Sequence, residues 1–205
     1  IKIAQPDAGK HPCLRRAVQA VRLLIRPAPA FSPTWQDAAS FAARAHRHQV
    51  RKDNQTPYFA HVVRVAFTVS QVFGCDDPAA IAGALLHDTI EDTTTDYDDI
   101  RGRFGREIAD FVAALTKNMA LPEETREPEY DRRLSAADWR VKLIKLADTY
   151  DNFCDISSYP AEKRVERRKD GVEKCLRAIK IAQPDAGKHP CLRRAVQAVR
   201  LLISS

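Results

Sequence analysis

Residues 78–92 read PAAIAGALLHDTIED. From Ala79 to Leu86 the stretch is apolar on nearly every side, the mark of a helix buried at the centre of a domain. It then runs into His87 and Asp88, with Glu91 and Asp92 inside the next turn. Burying such ionisable groups beside Leu85 and Leu86 is costly unless something offsets their charge. A divalent cation does so, and imidazole nitrogen with carboxylate oxygen is the donor set expected for Mn²⁺, Fe²⁺ or Zn²⁺. For these residues alone, a helix end with solvated acids remains the plainer alternative.

Working outward, the same helical character recurs. Ser32-Pro33 offers an N-cap with proline at the first helical position. Trp35, Ala38, Ala39, Ala42, Ala45 and His46 then repeat at three- and four-residue spacing, which predicts one inward face. Residues 47–57 (RHQVRKDNQTP) read as a polar loop. Val62, Val65, Ala66 and Val69 mark a helix over 58–73 that Gly74 closes as a C-terminal cap. Asp77-Pro78 restarts the chain. Helices follow over 97–103 and 106–116, on either side of Gly105. Residues 117–137, acid- and base-rich with Pro122 and Pro128, predict a loop or a broken helix. Helices are expected over 138–153 and from Pro160 to about 178. The stretch AQPDAGKHP (182–190) reads as a turn before a last helix over 191–203. No period-two strand pattern stands out, so the expected fold is an all-α bundle of about seven to nine helices.

Composition narrows the function classes. The chain has 205 residues, of which 44% are apolar, enough for one sizeable core. Only 7 glycines are present, and no GxxxxGKS or GxGxxG nucleotide loop can be found. Apolar runs are short and interrupted by charge, so no membrane span is expected. The opening IKIAQPDAGK lacks a secretory pattern. The cysteines (Cys13, Cys75, Cys154, Cys175 and Cys191) are scattered with no CxxC pair, which predicts a reduced, cytoplasmic protein.

Residues 1–25 recur letter for letter as residues 179–203. Divergent natural repeats do not stay identical over such a length. A fusion scar, an assembly artefact or a swapped helix accounts for the first copy better than a solenoid does. Each copy carries five basic groups (Lys2, Lys10, Arg15, Arg16 and Arg22 in the first) against Asp7, so removing one lowers the formal charge from +6 to +2. Without a concentrated basic stripe, no nucleic-acid partner is expected. The functional domain is read as residues 32–203.

Two further segments join the His-Asp pair. His61 lies on a helix face that is otherwise apolar, and Asp148 is enclosed by Leu143, Ile144, Leu146 and Ala147. A lone buried histidine is usually a satisfied core residue, and a lone aspartate usually a cap or an ion-pair partner. Three separate segments converging on one His-Asp pair are harder to explain that way.

The order H…HD…D resembles the HD phosphohydrolase superfamily. In finer detail, HRHQVRKDNQTPYFAH, LLHDTIEDT, the FG at 104–105, LTK and KLIKLADTYDN resemble the hydrolase domain of RelA/SpoT proteins, and most of all its small stand-alone alarmone hydrolases. The resemblance covers residues 35–160 and implies an HD-domain helical bundle. It implies that His61, His87, Asp88 and Asp148 bind one Mn²⁺, with Fe²⁺ or Zn²⁺ as alternatives. Glu91 and Asp92 would activate the water that releases pyrophosphate from the 3′ position of (p)ppGpp or (p)ppApp. Arg51, Lys52 and Asn152 would hold the nucleotide, Thr56 and Tyr58 would shape its loop, and His46 and His48 would be structural. This chain departs from the family at Val62, where proline is common, and at Cys154, where arginine is usual. The second departure bears on substrate choice. Rival expectations are an HD phosphatase acting on NADPH or another nucleotide, and a non-catalytic, antitoxin-like binding module. A homo-oligomer is compatible with either.

Overall fold

The computed structural model describes residues 35–204. The Ser32-Pro33 start and the first copy of the repeat lie outside the described residues. Ten α-helices follow in order: α1 (Trp35–Ala45), α2 (Phe59–Phe67), α3 (Pro78–Leu86), α4 (Thr89–Asp92), α5 (Tyr97–Phe104), α6 (Arg106–Leu115), α7 (Glu123–Ala136), α8 (Trp139–Cys154), α9 (Ala161–Ala186) and α10 (Pro190–Ser204). Among the described residues the only β-type pairing is an isolated bridge between Val50 and Pro57. None of these helices is long and apolar enough to cross a membrane.

Helix α8 is the axis of the bundle and packs against α2, α3, α6, α9 and α10. It buries Val141, Leu143, Ile144, Leu146, Ala147 and Phe153, yet it also buries Asp148, Thr149 and Asp151. One helix thus supplies both core and chemistry. Helix α3 is covered all round, as its composition predicts, with Ala80, Ala82, Gly83, Ala84, Leu85 and Leu86 buried. Asp77 caps it by accepting from the Ala80 N–H at 2.9 Å, with Pro78 in the first turn.

Gly83 leaves little space between α3 and its neighbours. A Cβ there would lie 3.0 Å from Ile144 Cδ1 and 3.4 Å from Phe111 Cδ2. Gly83→Val should therefore overpack the contact and destabilise the protein by about 1–3 kcal/mol. Chemical denaturation would show this as a lower midpoint with an unchanged slope.

Helix α2 gives way to a π-helical turn over Thr68–Val72, and Gly74 at φ 68° ends the segment. Only in this left-handed region does the expected glycine cap have a conformational reason.

Three expectations need correction. Trp35 does not face inward: it is 53% exposed, while Ala38, Ala42 and His46 form the buried stripe. The 117–137 segment holds a 14-residue helix, α7, with Pro128 inside it. The helix persists through the proline because distant groups grip it: Tyr130 Oη donates to the Leu115 carbonyl at 2.9 Å, and Arg177 pairs with Glu127 and Asp131, each at 2.7 Å. Likewise α9 continues through Pro184 to Ala186, because Ala182 and Ala186 are buried and Asp185 pairs with Lys142. The expected turn over 182–190 shrinks to the few residues between α9 and α10.

Candidate metal centre and active-site cleft

Three elements aim polar groups at one point. Helix α2 brings His61, the α3–α4 junction brings His87 and Asp88, and α8 brings Asp148. His61 Nδ1 lies 2.7 Å from Asp151 Oδ2, an acceptor, so that nitrogen carries the proton. His87 Nδ1 is fixed in the same way by the Ala84 carbonyl at 2.8 Å.

The opposite nitrogens are thereby turned inward. His61 Nε2 is 3.5 Å from Asp88 Oδ2 and 3.4 Å from Asp148 Oδ1. His87 Nε2 is 3.0 Å from Asp88 Oδ2 and 3.8 Å from Asp148 Oδ1. Both Nε2 atoms are buried, and neither makes a hydrogen bond. Donor atoms of His61, His87 and Asp88 all lie within 4.8 Å of one another, close enough to hold a metal ion.

Electrostatics point the same way. Burial would lower the His61 imidazole, but Asp148, Asp151 and Asp88 outweigh it and hold it at about 9. His87 is likewise raised well above the ordinary value, with Asp88 and Asp148 overcoming its burial. Asp88 and Asp148 are held below the usual carboxylate range despite burial, by His87 and His61 at Asp88 and by Lys145 and the same imidazoles at Asp148. The pocket therefore calls for positive charge, and a divalent cation would take over from the two imidazole protons. Residues and donor chemistry fit such an ion.

Glu91 and Asp92 stand beside this cluster on the one-turn helix α4. Glu91 Oε2 accepts the Lys117 backbone N–H at 2.8 Å. Burial, with the charges of Asp88 and Asp92, raises its carboxyl above the usual value. Asp92 is raised by burial and by Asp88.

The group opens into a cleft of about 510 Å³. Arg51, Lys52 and Asn152 all line it. Arg51 is not free, however: its guanidinium reaches Asp155 Oδ2 at 2.8 Å and Asn152 Oδ1 at 2.9 Å. Asn152 in turn donates to Asp148 Oδ1 at 2.5 Å, so it links Arg51 to the acid cluster. Lys52 is exposed at the rim. Asp53 holds their loop in a tight turn by accepting from the backbone N–H groups of Gln55 and Thr56, each at 2.9 Å.

His46 is buried and packs on Tyr58, whereas the exposed His48 accepts from Arg47 Nε at 2.9 Å. Cys154 is exposed and does not line the cleft. Arg64 lies beside it, pairing with Asp151 at 2.6 Å and Asp155 at 3.6 Å.

Sequence reasoning missed Lys145, whose Nζ binds Asp148 Oδ2 at 2.8 Å and faces the cleft. Its spacing of three residues from Asp148 on a helix was the available signal. It also missed Lys117, Arg167, Lys174 and Arg177 on the cleft wall. These come from distant segments and carry no local signature.

The HD-domain family matches residues 38–173. This chain belongs to that family. His61, His87, Asp88 and Asp148 all fall within the matched span. Among curated relatives, the guanosine-3′,5′-bis(diphosphate) 3′-pyrophosphohydrolase MESH1 of Xenopus tropicalis is 37% identical over 133 residues, covering 64% of this chain and 74% of the relative. The human MESH1 gives the same figures, 37% over 133 residues with 64% and 74% coverage. A 3′-pyrophosphohydrolase of Aquifex aeolicus is also 37% identical, over 153 residues, which cover 73% of this chain but 22% of that longer protein. Among solved structures, a metazoan SpoT orthologue described as hydrolysing ppGpp superimposes with a TM-score of 0.67 at 27% identity, covering 84% of this chain and 96% of the other. The HD-domain helical bundle is thus the fold of this chain.

Proposed function

We propose that this chain hydrolyses the 3′-pyrophosphate of purine alarmones, (p)ppGpp, its adenine analogue (p)ppApp, or both, with one Mn²⁺ held by His61, His87, Asp88 and Asp148. The observation that carries this reading is the pair of buried, unpartnered Nε2 atoms of His61 and His87, aimed at the same two carboxylates. The relatives named as 3′-pyrophosphohydrolases support the substrate. The hydrolase domain is taken as residues 32–203.

When bound, the cation lowers the pKa of water and neutralises phosphoryl charge. The rest falls to the chain. Glu91, half-buried and with its carboxyl raised, takes the water's proton as general base, and Asp92 orients the same water. The water oxygen bonds to the phosphorus next to the ribose 3′ oxygen, the bond from phosphorus to that oxygen breaks, and the 3′ oxygen takes up a proton to leave as the ribose hydroxyl. Pyrophosphate leaves together with GDP or GTP, or with ADP or ATP. Arg51 offers a flat cation on the nucleotide side, fixed by Asp155 and Asn152 and thus pre-organised. Lys145 and Lys117 supply positive charge along the cleft for the phosphate chains.

The test is a screen of the Mn²⁺-loaded protein against ppGpp, ppApp and NADPH. Release of pyrophosphate from either alarmone is the expected result. Release of phosphate from NADPH alone would move the chemistry to another nucleotide. No turnover of any of the three, with metal bound, would favour a binding module instead.

A further inference from the structure

The loop between α1 and α2 grips the catalytic turn through a set of contacts that the metal site does not itself require. Tyr58 Oη lies 2.6 Å from Asp88 Oδ2 and 3.0 Å from Asp92 Oδ2. Asp88 Oδ2 is the same oxygen that faces both unpartnered imidazole nitrogens. The ring of Tyr58 is held on several sides: it stacks on His46 at 4.9 Å, meets the His61 edge at 5.5 Å, and lies under the Arg51 guanidinium at 5.5 Å. His46 Nδ1 pairs with Gln49 Oε1 at 2.6 Å, and Gln49 Nε2 donates to the Asp92 carbonyl at 2.5 Å. Asp92 ends a helix of one turn and has an exposed side chain. Without these contacts its carboxylate would be free to rotate.

We infer that Tyr58, backed by His46 and Gln49, is a positioning residue that fixes Asp88 and Asp92 relative to each other, so that the metal-binding oxygen and the water-handling carboxylate are set by one hydroxyl. The inference rests on the cation site proposed above. A hydroxyl bonded to a ligating carboxylate holds the ligand in its productive orientation, and losing such an outer partner weakens metal binding or activity by about 10–100-fold.

Two variants test it. Tyr58→Phe keeps the ring and removes only the hydroxyl. It should bind Mn²⁺ about 10–100-fold more weakly in calorimetry. At saturating Mn²⁺ its kcat for ppGpp should fall by about 10-fold or more while KM stays within about threefold. Gln49→Ala frees the Asp92 backbone and leaves Asp88 alone, so it should lower kcat with Mn²⁺ affinity unchanged. Wild-type Mn²⁺ affinity and wild-type kcat in Tyr58→Phe would overturn the inference, as would a change confined to thermal stability. If the wild-type protein cleaves no alarmone, the functional reading fails, and the Mn²⁺ affinity of Tyr58→Phe still decides the role of Tyr58.

Discussion

Asp88→Asn is expected to lose Mn²⁺ binding and alarmone hydrolysis together, with pyrophosphate release falling by about 10³-fold or more, a barrier increase of about 4 kcal/mol. The argument is geometric. Asp88 Oδ2 lies 3.5 Å from His61 Nε2 and 3.0 Å from His87 Nε2 and accepts from Tyr58 Oη at 2.6 Å, so three site groups converge on it. Asparagine keeps the shape and an acceptor oxygen for Tyr58 but removes the negative charge that a divalent cation needs. It also leaves the two imidazoles with less reason to stay protonated, since Asp88 helps to hold both raised. The fold should survive, because Asp88 sits where α3 ends and is not part of the apolar core. Calorimetric Mn²⁺ titration and a pyrophosphate assay on the folded variant check both halves. Wild-type turnover by Asp88→Asn would sink the assignment of Asp88 as a ligand.

The readable part of this protein was the part in which apolar composition and chemistry coincide. Residues 78–92 announce a buried helix that ends in candidate metal ligands, and α3 is indeed buried on nearly all sides, with His87 Nε2 buried beyond its end. His61 and Asp148 were legible for the same reason: each is a polar group in an apolar frame, at 0% and 8% exposure. Helix α7 was not legible because only Tyr130 and Leu134 of its 14 residues are buried. Its remaining stabilisation comes from ion pairs such as Arg177 with Glu127 and Asp131, partners that lie about fifty positions away in the chain. A proline and a run of mixed charge read as a break when such partners are invisible. Arg51 shows the limit from another side. Its type and position were readable, but its attachment to Asp155, 104 residues on, was not. That attachment changes its character from a free cation to a fixed surface. The tyrosine hydroxyl between Asp88 and Asp92 is of the same kind, since from the sequence Tyr58 is expected only to shape the nucleotide's loop at the start of a helix.

Glu91→Gln should separate catalysis from metal binding. The expected result is a kcat lower by about 10²–10⁴-fold, the range for losing a general base, with Mn²⁺ affinity close to wild type. Glu91 meets the Lys117 backbone N–H at 2.8 Å, and a glutamine oxygen can accept that bond unchanged. The side chain should therefore stay in place while losing its capacity to take a proton. A pH profile sharpens the test. Burial and the neighbouring charges of Asp88 and Asp92 raise the Glu91 carboxyl above its ordinary value, so the active, ionised form is lost as pH falls through that raised value. The wild-type rate should accordingly drop on the acid side at a higher pH than an ordinary glutamate would give. In Glu91→Gln the residual rate should lose that acid limb, because the titrating group is gone. If the variant keeps both its rate and its acid limb, the proton acceptor is Asp92, whose carboxyl is raised by the same causes and stands on the same turn.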